Sequence, residues 1–385
     1  MNTPNTPPRD GPARAPLAGI RVIDFSTLLP GPLCSLLLAR AGAEVIKIER
    51  PERGDEMRSY VPKFGDDSVN FALLNQGKRS VALDMKNISD VEQAIALVRT
   101  ADVLLEQFRP GVMDRLGLGY EAMRALNPGL IYCAITGWGQ DGPLANMAAH
   151  DLNYQAEAGL LGLTAGADGA PVLPNILAAD IAGGAYPAVM NILLALRARE
   201  AYDQGRKIDV AMADNLFSFN YWGLGNGFAA GQWPQAGSDL VTGGTPRYQI
   251  YRAKDGRFLA AAPLEQKFWE NFVRVLDAPH LLDDAREPHR VRAAVAAIIA
   301  THTADEWMQR FAGVDACVSV VKSLRDAVES PHFRARGVFA DRISNGTGGE
   351  MPALPLPIDA SFRQAAAKAA PKLGEADPGA LQRVP

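Results

Sequence analysis

Short runs of branched apolar residues alternate with helical segments through the first half of the chain. Gly19–Phe25 (GIRVIDF) reads as a buried strand, Pro30-Gly31-Pro32 as a turn, Leu36–Ala41 as a helix ended by Gly42, and Glu44–Glu49 (EVIKIE) as a second strand. Strand, turn, helix and strand in about thirty residues make a βαβ unit, which calls for a parallel sheet. After a polar stretch to Gly77 the alternation resumes. Lys78–Asp84 reads as a strand, Val91–Thr100 as an amphipathic helix and Asp102–Glu106 as a strand. Tyr120–Leu126 reads as a helix stopped by Asn127-Pro128-Gly129, and Leu130–Ile135 as a further strand. A doubly wound sheet of this kind places its ligand crevice at the carboxyl ends of its strands.

The pattern then changes. Ile181–Arg199 (IAGGAYPAVMNILLALRAR) is apolar and long enough for a helix, with Pro187 near its start, and Lys207–Met212 is a strand. Between Asn215 and Gly244 aromatics and glycines accumulate, as expected for a crossing between domains. Tyr248–Tyr251 and Phe258–Ala262 flank a Lys254–Arg257 turn and read as a hairpin. Helices are expected over Glu265–Leu276, Val291–His302 and Ala304–Phe311, and a strand over Cys317–Val321. The first sixteen residues hold five prolines and no apolar run, so they read as a flexible extension rather than a signal peptide. From Asp359 onward the tail is Ala/Pro/Lys-rich and is expected to be mobile at its end.

Composition narrows the function classes. At 385 residues, 48% hydrophobic and 21% charged, the chain is long enough for two globular domains or one large domain with an excursion. A formal net charge of −4 argues against a general nucleic-acid or membrane-surface role. No run of about eighteen apolar residues suggests a membrane span. Cys34, Cys133 and Cys317 form no CxxC pair, so neither a disulfide framework nor a zinc site is expected, and the compartment reads as cytoplasmic. The GxGxxG fingerprint is absent from the first strand–helix turn, and GLGNG at 223–227 lacks the strand context; no nicotinamide, flavin or metal signal is present.

Candidate chemistry gathers between Thr136 and Asp180. The chain has only five histidines, and one of them, His150, is followed directly by Asp151 among small residues. An imidazole titrates near neutral pH and an adjacent acid can hold its tautomer, which suits proton transfer. Asp180 is a lone acid in an apolar run, and the following IAGG would let a bulky substrate approach the backbone. Arg50, Lys78, Arg79 and Arg109 each sit at or just beyond a strand boundary, where they would receive a phosphorylated ligand.

Three long motifs carry a resemblance. PLAGIRVIDFSTLLPGPLCSLLLARAGAEVIKIERPERGD at the start, ADVLLEQFRPGVMDRLGLGYEAMRALNPGLIYCAITGWGQDGP in the middle and ACVSVVKSLRDAVESPHFRARGVF near the end resemble the class III CoA-transferase (CaiB/BaiF) superfamily. This superfamily includes formyl-CoA and carnitine CoA-transferases and 2-methylacyl-CoA racemase. The resemblance spans about Pro16 to Ile358. It implies an α/β fold: a large Rossmann-like domain with a parallel sheet, a smaller α+β domain, and two chains interlocked as a homodimer. The expected layout is an extension over 1–16, the large domain over 17–214, a crossing over 215–244, the small domain over 245–335, and a return over 336–385. The resemblance also implies a CoA thioester as substrate rather than a permanently bound cofactor. Arg50 and Arg109 match CoA-contacting positions, and Lys78-Arg79 fall where the nucleotide phosphates are held.

Two chemistries compete within the superfamily. The transferases use an aspartate nucleophile, matching Asp180, which attacks the thioester to give an acyl-aspartyl anhydride. The racemases use the aspartate with a histidine to exchange the α-proton through an enolate. AAHDLNY at 148–154 resembles the racemase pattern, with His150 on its histidine. Glu265 falls on a racemase acid, and the short TGGTP loop is similar to the racemase version. This implies His150 for one face, Asp180 for the other, Asp151 and Glu265 as tuning groups, and backbone N–H groups near Asp180 or at Gly183-Gly184 for the oxyanion. Two departures favour a transferase instead. Arg247 stands where racemases carry an aromatic, which suits an acyl group with a distal carboxylate, and the 60–75 segment is long. A CoA-binding paralogue without turnover is the third reading.

Overall fold

The computed structural model describes residues 15–166, 168–364 and 369–383. Of the N-terminal extension, residues 1–14 lie outside this range. The chain forms two compact units: one from 1–155, 176–216 and 336–385, the other from 156–175 and 217–335.

Six strands build the sheet of the first unit. They are β1 (Arg21–Asp24), β2 (Glu44–Glu49), β3 (Arg79–Ala82), β4 (Val103–Glu106), β5 (Ile131–Thr136) and β6 (Arg206–Ala211), all parallel, in the spatial order 3-2-1-4-5-6. Every residue of β1, β4 and β5 is buried, which explains why they read as continuous apolar runs rather than alternating ones. On one face Ile23, Ile46, Val81, Leu104 and Tyr132 pack with Ala94, Leu97 and Val98 of helix Ile88–Val98. That helix begins at Asn87, whose side chain accepts Ser89 N–H.

Several boundaries differ from expectation for identifiable reasons. Pro30-Gly31-Pro32 does not precede a helix but opens one, Pro30–Arg40, because proline at a first helical turn lacks only a donor that would have no partner anyway. The tail is anchored in the described residues. Leu381 joins the main core and its carbonyl accepts from Arg21, while Arg58 donates to Pro371 O and Ser80 O accepts Ala376 N–H. The interval 215–244 is more structured than a crossing: it holds helix Tyr221–Ala230, which belongs with the second unit. No membrane span is expected from the sequence; the helical stretch Ala179–Tyr202 has mean hydropathy 1.4 and meets the length and composition of one, a test that partly buried core helices also pass. Ala188, Ile192, Ala195 and Leu196 are buried, whereas Tyr186, Met190, Leu193 and Leu194 form an exposed stripe at helical spacing.

The second unit carries a three-stranded antiparallel sheet: β7 (Gln249–Arg252), β8 (Phe258–Ala261) and β9 (Val318–Val320), with β8 central. Helices Gln266–Val275, Pro288–Ile299 and Ala304–Arg310 cover it. Trp269, Phe272, Trp307 and Phe311 stack through their core, each contributing roughly 1.5–3 kcal/mol by burial.

Candidate active site

From β1 the chain winds outward through β2 to β3; from β4 it winds the other way to β6. The loops leaving the carboxyl ends of β1 and β4 therefore part, and a crevice opens at this reversal. A cavity of about 410 Å³ lies there. Leu28–Pro30 reach it from β1, Gln107–Pro110 from β4, Thr136–Trp138 from β5 and Met212 from β6. The chain after β5 then delivers His150 and Tyr154 to its lining, and Asp180 completes it.

Asp180 is the second residue of a π-helical segment, Ala179–Ala185, that runs into helix Tyr186–Tyr202. Such wide turns inside a helix concentrate at functional sites. The first turn is held by Asp151, which is buried at the start of helix Asp151–Glu157. Asp151 Oδ1 accepts Ala179 N–H at 2.7 Å and Asp180 N–H at 3.0 Å, and Oδ2 accepts from Gln155 Nε2 at 2.6 Å. Asp151 thus turns away from His150, its neighbour in sequence, and serves Asp180. Burial pushes the Asp180 carboxyl up to about 6, the Asp151 charge adds to the rise, and His150 opposes it. The Asp180 N–H is committed to Asp151 and so is not itself free to hold an oxyanion.

His150 is exposed and precedes helix Asp151–Glu157. Asn153 Oδ1 accepts its N–H at 3.0 Å, and the His150 carbonyl accepts Asn153 N–H at 2.8 Å. Asn153 and Tyr154 both line the cavity, although sequence reading passed over them. Their spacings of three and four residues from a histidine at a helix start were the available signal.

The remaining candidates are distributed differently. Arg109 is exposed and lines the same cavity. Arg50, at the carboxyl end of β2, lines a separate cavity of about 950 Å³ and pairs with Glu56 at 3.4 Å. Lys78 is corrected from phosphate holder to core group. Its ammonium is fully buried, donates to Pro32 O at 2.9 Å and Asn75 Oδ1 at 2.8 Å, and faces Asp24 at 3.6 Å. Arg79 is corrected too: it opens β3 at the amino edge of the sheet and pairs with Glu44, the residue that opens β2. Glu265 belongs to the second unit, where it precedes helix Gln266–Val275 and its carbonyl accepts from Phe268 and Trp269.

Arg247 is not free for a substrate carboxylate. Asp284 holds it with two bonds of 2.9 and 2.6 Å, Gln266 and Leu264 O take further donors, and its guanidinium lies 5.3 Å from the Trp269 ring centre. Gly183 and Gly184 are small for packing rather than for substrate. A Cβ on Gly183 would come within 2.5 Å of Met212 O, and one on Gly184 within 3.0 Å of the Met212 side chain. Among the described residues no three His, Cys, Asp or Glu side chains gather in a way that would hold a metal ion.

The family profile described as CoA-transferase family III matches residues 17–377. The chain belongs to this family. It is 34% identical over 368 residues to the mouse alpha-methylacyl-CoA racemase, covering 93% of this chain and 91% of that protein. It is also 34% identical over 372 residues to the acetyl-CoA:oxalate CoA-transferase of Acetobacter aceti, covering 94% of each. A crystal structure of a CAIB/BAIF family protein from Brucella suis superposes with a TM-score of 0.80 at 30% identity, covering 94% of this chain and 97% of that one. Both kinds of relative are enzymes, and so is this member of the family. The identities are equal for racemase and transferase, so within family III the cavity must carry the distinction.

Proposed function

We propose that this family III enzyme exchanges the α-proton of a 2-methylacyl-CoA between its two faces. The observation that carries this reading is the meeting of Asp180 and His150 in one cavity, with the Asp180 carboxyl near 6. A base of that strength holds and releases a proton close to neutral pH, where an ordinary exposed aspartate would stay ionised. One residue removes the α-proton from one face and leaves an enolate; the other returns a proton to the opposite face, so the substrate epimerises with no net change in protons. Asp151 positions Asp180 through its two backbone hydrogen bonds and helps raise its carboxyl through its charge. Arg50 and Arg109 are the basic residues proposed to meet the CoA moiety, which arrives and leaves as part of the thioester. Glu265 is proposed to support the pair. The exposed stripe from Tyr186 to Leu194 supports the interlocked homodimer, and we place the enzyme in the cytoplasm.

A second reading has support of its own. Similarity to an oxalate transferase equals that to a racemase, and Asp180 would then attack the thioester as a nucleophile.

Incubation with (2S)-2-methylacyl-CoA in heavy water, followed by NMR at the α-carbon, separates the two. Deuteration with epimerisation, lost in His150→Ala, is expected. A parallel tube holds a CoA thioester with succinate, oxalate or carnitine as acceptor. A new acyl-CoA there, with no α-deuteration in the first tube, overturns the racemase reading. Silence in both tubes with retained CoA binding points to a binder.

A further inference from the structure

The two bases are held in different ways. Asp180 sits inside a helical segment that Asp151 anchors. His150 follows residues 141–149, which form no helix or strand and are largely exposed. Yet the backbone approaching His150 is tied at three points by side chains around the cavity. Trp138 Nε1 donates to Met147 O at 3.2 Å, Tyr154 Oη donates to Ala149 O at 2.9 Å, and Asn153 Oδ1 accepts His150 N–H at 3.0 Å. The Trp138 and Tyr154 rings meet edge to face, 4.9 Å apart at 78°. Gly137 makes this contact compact: a Cβ there would come within 2.3 Å of the Tyr154 ring. Burial first, then Asp180 and Asp151, push the Tyr154 phenol up to about 12, so it remains a donor at working pH.

We propose that Trp138 and Tyr154 form an aromatic clasp that positions His150, and that the clasp governs proton transfer on the histidine face alone. This rests on the proton-exchange reading above. Both are positioning residues: the Tyr154 hydroxyl is spent on Ala149 O and the Trp138 N–H on Met147 O, so their effect passes through the backbone to the imidazole. A base displaced by about an ångström loses much of its rate, whereas Asp180, anchored separately, keeps its place.

The test is the rate of deuterium exchange with retention, in heavy water, from each epimer of a 2-methylacyl-CoA. Each base performs that exchange on its own face. Tyr154→Phe keeps the ring and removes one hydrogen bond; Trp138→Phe removes the other. Each is expected to slow exchange from one epimer by about three- to tenfold, with KM unchanged and the other epimer little affected. Equal loss from both epimers, or none from either, overturns the clasp. A second readout is independent of turnover: amide exchange over 145–150 is expected to rise at least about threefold in Tyr154→Phe. Unchanged protection there overturns the clasp. Absence of any α-exchange in the wild type, with faster amide exchange in the variant, overturns the proton-exchange reading while leaving the clasp as the anchor of this segment.

Discussion

Asp24 and Asp180 both lie near the carboxyl ends of the same sheet, and their acidities move in opposite directions. Asp24 is fully buried, and burial pushes its carboxyl up, but Lys78, Lys47 and the hydroxyls of Ser26 and Ser35 outweigh that and hold it below its ordinary value. Asp180 is less buried and yet rises to about 6, because its burial is not offset by lysines: Asp151 adds a like charge and only His150 opposes. Burial alone therefore does not make a titrating group; the sign of the neighbouring charge does. Asp24 belongs to a network that fixes the turn at the cavity edge. Lys47 pairs with Asp55 at 3.0 Å and donates to Ser26 O, while Asp55 accepts Leu28 N–H. One aspartate is spent on architecture, the other keeps a raised carboxyl at the cavity.

The comparison can be broken most severely at the poised group. Asp180→Asn removes the titrating oxygen while keeping its shape, and epimerisation, together with α-proton exchange from the epimer that Asp180 serves, is expected to fall by about 10²–10⁴-fold. A residual rate within about fivefold of wild type would mean that Asp180 is not a base. The architectural side breaks next. Lys78→Met leaves Asp24 with one lysine fewer in a dry site, and is expected to lower stability by about 3–5 kcal/mol in chemical denaturation at pH 7. A loss under about 1 kcal/mol would show that Lys47 alone neutralises Asp24.

The smallest effect sharpens the contrast. The pKa of Asp180 is raised, so between its unfolded value near 3.8 and its folded value near 6 the unfolded chain ionises first. Its charge thus lowers stability progressively as pH rises through that window, and the penalty is complete above it. Asp180→Asn should therefore melt above wild type at pH 8, by an amount on the order of 1 kcal/mol, with the difference vanishing below pH 4. A difference independent of pH would trace the gain to something other than the carboxylate.

The sheet was legible because its strands are short, apolar and separated by helices, and residue type with the surrounding motif was enough to single out Asp180 and His150, which line one cavity. What escaped was direction and partnership. His150-Asp151 looks like a pair, but neighbouring side chains at a helix start diverge, and Asp151 serves a backbone nearly thirty residues away. Arg247 suggested a carboxylate pocket because Asp284, its partner, lies far along the chain. Lys78 and Arg79 precede a strand rather than follow one, which places Arg79 at the sheet edge opposite the crevice, while Lys78 folds inward to Asp24. The IAGG segment suggested room for substrate, whereas the room is filled by Met212.

The wide turns of Ala179–Ala185 have a consequence for how this site tolerates insertion and deletion. In them Tyr186 N–H reaches back five residues to Ile181 O, so the segment carries more chain per turn than the helix it feeds. It acts as a phase shifter. The apolar helix beyond it keeps its angular register against the sheet, while Asp180, ahead of it, is rotated out of that register toward the cavity. Winding the same residues as ordinary helix would swing Asp180 by about 100° from its present bearing, and removing one residue from 181–185 as they tighten would bring it back. The bearing of Asp180 is thus written partly in chain length, a quantity no single side chain records.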